Sequence, residues 1–142
     1  MLYLDSSYVA KCYLNDADCE AVRALVRRET RLFSSYLCVG EVSFAFHRRY
    51  RERALTRRQM GELAGVFRSH VEAGFWNLIP LTEGLLWQVH ESLWTLPVSV
   101  FVRSADAIHL VSAREAGFQE IWTNDRHMLA AASHYRLKGR SV

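Results

Sequence analysis

The sequence predicts an α/β fold in which a short, mainly parallel central sheet is flanked by helices on both faces. Short apolar runs typical of buried strands recur along the chain, and amphipathic helical segments alternate with them. Strands and helices in that alternation imply a parallel sheet that is covered on both sides. The length of 142 residues corresponds to a single domain, residues 1–142, with enough apolar content for a sizeable core.

The first half of the chain contains two of the predicted strands and four of the predicted helices. Residues 2–4 form a short buried strand, and Ser6 or Ser7 caps a helix that ends near Leu14. Apolar residues at steps of three and four make residues 56–74 the clearest helix of the chain. The other predicted elements of this half are a helix at 17–28, a strand at 31–35 and a long helix at 36–53.

The second half begins with a predicted strand at residues 75–80 and a helix that Thr82 caps. The β-branched stretch 98–102 leads straight into a helix that Gly117 closes. The remaining predicted elements are a strand at 120–123, a short helix at 125–134 and an edge strand at 136–142. Four tryptophans have the spacing of core residues, namely Trp76, Trp87, Trp94 and Trp122.

The apolar segments and the cysteines favour a cytoplasmic protein. No segment is long and apolar enough to span a membrane. Asp5 and Lys11 interrupt the N-terminal apolar run, so this run does not resemble a signal peptide. The three cysteines are odd in number and lack the paired spacing of metal ligands, so we expect reduced thiols.

Six arginines crowd one short segment, although the net charge of the chain is only +3. Such a block suits contacts with phosphate groups or with an acidic protein partner. The other interpretation is a solvated helix end in a chain that is rich in arginine throughout. The six residues are Arg48, Arg49, Arg51, Arg53, Arg57 and Arg58.

Four acidic residues, Asp5, Glu41, Asp106 and Asp125, each interrupt a stretch that otherwise resembles buried core. A carboxylate at the edge of a core is costly unless it is paired, protonated or bound to a cation. Asp5 and Asp125 directly follow predicted strands, where the sites of parallel sheets lie, and the other two lie near helix starts. No matching set of interior lysines or arginines is evident, so a divalent metal is the simplest compensation.

Carboxylate oxygens are the ligands that Mg²⁺ and Mn²⁺ prefer. One or two such ions can activate a water molecule, orient a phosphate group and stabilise the leaving oxygen. Phosphodiester hydrolysis requires these three effects because its substrate and transition state are both anionic. The acids therefore predict a metal-dependent nuclease.

The four acids lie in four short motifs. These are L-Y-L-D-S-S at residues 2–7, V-G-E-V at 39–42, R-S-A-D-A-I-H-L-V-S-A at 103–113, and W-T-N-D at 122–125 followed by M-L-A-A-A at 128–132. The motifs resemble those of PIN-domain nucleases, in the same order and with similar spacing over nearly the whole chain. The length suits the VapC-type toxins of prokaryotic type II toxin–antitoxin pairs.

The resemblance implies a PIN-like fold and an endoribonuclease that leaves a 3′-hydroxyl and a 5′-phosphate. It implies that Asp5, Glu41, Asp106 and Asp125 are the catalytic residues and hold Mg²⁺ or Mn²⁺. It also implies an RNA substrate, a homodimer and inhibition by a cognate VapB-like antitoxin. The sequence departs from the family at residues 135–140, which are more basic than the usual apolar last strand.

Several polar residues beside the acids have two possible roles. Ser6 and Thr123 bind a neighbouring carboxylate or a metal-bound water, or they only satisfy backbone groups at strand ends. Asn124 has the same two possible roles, because asparagine is also a common turn residue. Arg103 pairs with a carboxylate or a phosphate, or it is exposed. His109 is one turn after Asp106, but its apolar neighbours favour a packed histidine over a general base.

Two other functions remain as alternatives. A catalytically idle PIN-like module that binds RNA or protein is disfavoured by the intact set of four acids. A strand-Asp phosphatase requires a second aspartate two residues after the first, and Ser7 occupies that position. The chain has no glycine-rich nucleotide-binding loop.

Overall fold

The computed structural model describes residues 1–142 and has five short strands that all run parallel. The first sheet has the order β1-β2-β3, and the second pairs β4 with β5. A parallel bridge between Leu4 and Trp122 joins the two, so the spatial order is β3-β2-β1-β4-β5. The strands are β1 (Leu2–Tyr3), β2 (Leu32–Ser35), β3 (Trp76–Ile79), β4 (Glu120–Trp122) and β5 (Lys138–Arg140).

Helical segments connect successive strands, and the predicted α/β architecture is confirmed. Thr82 caps its helix as predicted, because its side chain accepts a hydrogen bond from the backbone N–H of Leu85 at 3.1 Å. None of the helices combines the length and the apolarity that crossing a bilayer requires. The helices are α1 (Ser6–Lys11), α2 (Cys19–Arg27), α3 (Leu37–Arg51), α4 (Arg57–Glu72), α5 (Glu83–Ser92), α6 (Ser104–Glu115) and α7 (Arg126–Ala131), with 3₁₀ turns at Leu93–Thr95 and Ala132–Tyr135.

The core lies in two clusters on opposite faces of the sheet, because successive side chains of a strand alternate between its faces. Leu4 and Leu32 belong to the cluster that includes residues of α1, α2, α3 and α4. Tyr3 and Phe33 pack in the second cluster, with residues of α5, α6 and α7. The central strands are therefore covered on both faces, as the sequence predicts.

The prediction that all four tryptophans are core residues is wrong for two of them. Trp76 is buried, but Trp87 is 59% exposed and Trp94 is 77% exposed. Trp87 lies two positions after the buried Leu85 on α5, and a helix turns by about 100° per residue. The same helix thus buries Leu85 and presents Trp87 to solvent, while Trp94 lies in a 3₁₀ turn.

Several boundaries differ from the sequence prediction, notably at α1 and near the C-terminus. The cap of α1 is Asp5 instead of Ser6 or Ser7, and α1 ends at Lys11 instead of Leu14. The helix predicted at 125–134 changes to a 3₁₀ turn at Ala132. The basic C-terminal segment does form a strand, β5, at the edge of the sheet.

Candidate active site

A cleft of about 550 Å³ is lined by all four predicted acids, Asp5, Glu41, Asp106 and Asp125. Asp5 follows β1 and Asp125 lies three residues after β4, so both come from the carboxyl ends of neighbouring strands. The other two lie near the N-terminal ends of α3 and α6. The basic residues Lys11, Arg48 and Arg103 also line this cleft.

Asp5 is buried, and the surrounding structure supplies several hydrogen-bond donors to its carboxylate. The backbone N–H of Tyr8 donates to it at 2.9 Å, Ser7 Oγ at 2.8 Å and Thr123 Oγ1 at 2.6 Å. Burial raises the pKa of Asp5 above its ordinary value, and these hydrogen bonds offset only part of that effect. Asp5 therefore accepts a proton at a higher pH than an ordinary aspartate.

Glu41 is half-buried on α3 and receives two side-chain hydrogen bonds on a single oxygen. Ser6 Oγ donates to Oε2 at 2.5 Å, and His109 Nε2 lies 3.0 Å from the same atom. Burial opposes ionisation of Glu41, but the hydrogen bonds from His109 and Ser6 outweigh it and lower the pKa. Glu41 is thus an ionised member of the cleft at neutral pH.

Asp106 and Asp125 are connected by one guanidinium group. Arg103 Nε donates to Asp106 Oδ2 at 3.1 Å, and Arg103 Nη2 donates to Asp125 Oδ2 at 2.7 Å. Asp125 also caps α7, since Oδ1 accepts from the backbone N–H groups of His127 and Met128 at 2.8 and 3.0 Å. Burial would raise the pKa of Asp125, but these N–H groups and Arg103 lower it.

The contacts decide among the open roles of the neighbouring polar residues. Ser6 and Thr123 each bind a carboxylate, and Arg103 binds two. Asn124 Oδ1 accepts a hydrogen bond from the Tyr8 hydroxyl at 2.6 Å. His109 is buried as predicted, but it also contacts Glu41, a link that its apolar sequence neighbours give no sign of.

No three of the histidine, cysteine, aspartate and glutamate side chains are placed to hold one metal ion together. A three-ligand protein cage is not what Mg²⁺ requires, because this ion keeps several waters and is usually held by one or two carboxylates together with the substrate phosphate. Four carboxylates along one cleft fit that mode of binding. Their assignment as metal ligands and catalytic residues stays a prediction.

Comparisons with known proteins agree with this architecture. A profile of the PIN domain family matches residues 2–133. No curated protein sequence matches the chain significantly.

Three solved structures are similar in fold. VapC20 of Mycobacterium tuberculosis, described as a sarcin–ricin loop cleaving toxin, has a TM-score of 0.72 at 21% identity, with 92% of this chain and 95% of that chain covered. FitAB bound to a DNA fragment has a TM-score of 0.69 at 15% identity, with 99% and 94% covered. FitAcB of Neisseria gonorrhoeae has a TM-score of 0.64 at 16% identity, with 98% and 96% covered.

Proposed function

Because the chain belongs to the PIN domain family, we propose that it is a single-domain nuclease that hydrolyses RNA internally with the help of Mg²⁺ or Mn²⁺. The observation that carries this proposal is the lining of one cleft by four carboxylates. A hard dication relieves the repulsion among such groups and brings positive charge to an anionic substrate.

Some residues of the cleft would bind the cation, and others would bind the substrate. Asp5, Glu41, Asp106 and Asp125 hold the ion and its waters; when bound, the ion polarises the phosphate and activates water for attack. Lys11 and Arg48 line the same cleft and attract the phosphates of the RNA backbone. Ser6 and Thr123 keep Glu41 and Asp5 in place through their hydrogen bonds.

We also propose that the protein is the toxin of a toxin–antitoxin pair, works as a homodimer in the cytoplasm and is inhibited by a VapB-like antitoxin. The similarity in fold to VapC20, which is described as a toxin, supports this proposal. Exposed aromatic residues on or beside the long helices, such as Tyr50 and Phe75, offer contact area for a protein partner.

RNA cleavage by the purified protein tests the nuclease proposal. We expect cleavage with Mg²⁺ or Mn²⁺ and little with EDTA. Asp5→Asn and Asp106→Asn should lose at least about 100-fold in activity, because each removes a carboxylate that is proposed to hold the catalytic metal. Glu62→Gln, on the exposed side of α4, is the control and should cleave like the wild type. Equal activity in all four proteins would exclude the proposed site and indicate a contaminating nuclease.

Expression in cells tests the toxin proposal separately. We expect growth arrest when the protein is produced alone, and relief when a small adjacent open reading frame is co-expressed. Mapping of RNA ends shortly after induction would identify the substrate. A protein that is harmless alone but cleaves RNA in vitro would remove the toxin assignment and leave the nuclease assignment intact.

One observation favours the alternative of an idle PIN-like module. Arg103 already pairs with both Asp106 and Asp125, an arrangement that neutralises the two acids without a metal. An idle module binds RNA or protein but neither Mn²⁺ nor Mg²⁺, so a metal titration of the purified protein separates the two functions.

A further inference from the structure

A continuous chain of hydrogen bonds runs beneath the cleft from Tyr3 on β1 through His109 on α6 to Glu41 on α3. The Tyr3 hydroxyl lies 3.0 Å from His109 Nδ1, and His109 Nε2 lies 3.0 Å from Glu41 Oε2. Ser6 Oγ is 2.9 Å from the same imidazole nitrogen. Tyr3 and His109 are almost completely buried, at 0% and 2% exposure.

The donors and acceptors of this chain fit only one neutral tautomer of His109. An ionised Glu41 can only accept hydrogen bonds, so the imidazole hydrogen belongs on Nε2. Nδ1 is then an acceptor, and the Tyr3 hydroxyl donates to it. Burial raises the pKa of Tyr3 well above its ordinary value, so that hydroxyl keeps its proton and remains a donor.

The result for Glu41 is that one oxygen is fixed and the other is free. Oε2 receives hydrogen bonds from His109 and Ser6, whereas Oε1 has no hydrogen-bond partner within the protein. Glu41 lies in the lining of the cleft. A carboxylate held in this way is already ordered before the cation arrives. It presents one oxygen to the cation, and binding costs little further conformational entropy of the side chain.

Through His109, α6 contacts Glu41 in addition to carrying Asp106. His109 follows Asp106 by three residues, which is one turn of α6. Asp106 thus lines the cleft directly from α6, while the same helix reaches Glu41 on α3 through His109. Tyr3 anchors the other imidazole nitrogen to β1, the strand that precedes Asp5.

We propose that His109 is a positioning residue that fixes Glu41 for binding of the divalent cation, with Tyr3 fixing His109 in turn. This inference rests on the proposed metal-dependent function. Both nitrogens of the buried imidazole have partners from other elements, and the partner of Nε2 is an acid of the cleft. Loss of such an outer partner of a metal ligand typically costs about 10- to 100-fold in metal affinity.

The matched pair His109→Gln and His109→Asn tests this role. The glutamine amide reaches about as far as Nε2 and keeps a donor for Glu41, whereas the shorter asparagine reaches only as far as Nδ1 and loses Glu41. We expect Mn²⁺ affinity near the wild type in the glutamine variant and about 10- to 100-fold weaker in the asparagine variant. Mn²⁺ binding is measured by electron paramagnetic resonance, and thermal melting verifies that each variant is folded.

Two further variants sharpen the comparison. Tyr3→Phe removes the donor to Nδ1 and should weaken Mn²⁺ binding less than His109→Asn, because the bond to Glu41 remains. His47→Gln, at an exposed position of α3, should bind Mn²⁺ like the wild type. Should His109→Asn not fold, a wild-type affinity in Tyr3→Phe overturns the proposal, and a measurable loss supports it.

The possible failures differ in what they exclude. Equal Mn²⁺ affinities in wild type, His109→Asn and His109→Gln overturn the positioning role and leave the nuclease proposal standing. A loss in His109→Asn that His109→Gln shares equally also overturns it, since packing would then explain both. A wild type that binds no Mn²⁺ overturns the proposed function itself, and the positioning role with it.

Discussion

Arg103 is an internal cation that neutralises two acids of the cleft at once. Its guanidinium donates to Asp106 and Asp125, and its side chain is 58% exposed. A divalent ion bound by the same carboxylates has to compete with this pair of contacts. Pairing of Arg103 therefore weakens binding of the ion, and binding of the ion weakens pairing of Arg103 to the same extent.

Removal of that competitor should strengthen metal binding. We expect Arg103→Gln to bind Mn²⁺ several-fold more tightly than the wild type, and to melt at a slightly lower temperature in EDTA because two ion pairs are lost. A Mn²⁺ titration and thermal melts with and without metal measure both effects. Arg58→Gln breaks a more exposed ion pair, with Glu62 on α4, and should leave Mn²⁺ affinity unchanged. Equal Mn²⁺ affinities in the two variants would contradict the competition by Arg103.

Two thiols should be unreactive in the folded protein. Burial raises the pKa of Cys12 and of Cys38 to about 12, so almost no reactive thiolate exists at pH 8. We expect Ellman's reagent at pH 8 to modify both residues only after denaturation. The thiolate fraction of these two residues grows as pH approaches 12, so we expect faster labelling of Cys12 and Cys38 in the folded protein only at strongly alkaline pH. Rapid labelling of Cys38 at pH 8 would contradict the described core.

The sequence was sufficient to find the four acids, because each interrupts an apolar stretch at a strand end or a helix start. It was not sufficient to assign Arg103 or His109. Arg103 pairs with a residue 22 positions away, and His109 meets Glu41 over a separation of 68 positions. Such contacts depend on how α3, α6 and α7 approach one another, which no local pattern encodes.

At the scale of elements, β5 packs against α7 so closely that Gly139 has no room for a side chain. A Cβ atom there would lie 2.9 Å from Leu129 Cδ2 and 3.1 Å from Leu129 Cα. Part of that contact is with backbone, which cannot rotate away. Gly139 therefore sets the distance between the edge strand and its helix.

Gly139→Ala should consequently destabilise the protein by about 1–3 kcal/mol, the usual cost of overpacking. Gly61→Ala is the matched control, because a Cβ at Gly61 meets nothing within 4 Å and alanine is favoured within a helix such as α4 by about 1 kcal/mol. Urea denaturation of both variants measures the free energy of unfolding. The expected changes are opposite in sign, and a stabilising effect of Gly139→Ala would contradict the packing of β5.

Helix caps and helical periods allowed most elements to be predicted. Thr82 begins α5 as expected, and the capping box of Thr56 and Gln59 begins α4 at the predicted place. Trp87 and Trp94 show where this approach fails. Aromatic spacing indicates that a residue is on a helix or turn, but not which side of it the sheet will cover.

The whole molecule holds its shape through two apolar clusters of 13 and 12 buried residues, neither of which includes an acid of the cleft. Each acid of the cleft also has partners within the protein. We expect a cooperative thermal transition in EDTA. The far-ultraviolet circular dichroism of the folded protein should be the same in EDTA and in Mg²⁺. Mg²⁺ should raise the melting temperature only through mass action, which adds about 2.7 kcal/mol to the free energy of unfolding at 100 times its Kd. Unfolding by EDTA would show instead that the ion is structural.

The parallel sheet and its covered faces were predictable from the alternation of strands and helices, whereas the spatial order of the strands was not. Nothing local indicates that β4 lies beside β1 instead of β3. That placement depends on the bridge between Leu4 and Trp122 and on the Asp5 backbone N–H, which donates to the Trp122 carbonyl at 3.1 Å.

The same bridge has a consequence for the protein during its synthesis. Leu4 leaves the ribosome early, and its partner Trp122 emerges only after most of the chain has been translated. Until then Asp5 and Asp125 belong to segments that have not met. A nascent chain thus lacks the assembled cleft through most of translation, since domains fold as units once their distant contacts are available.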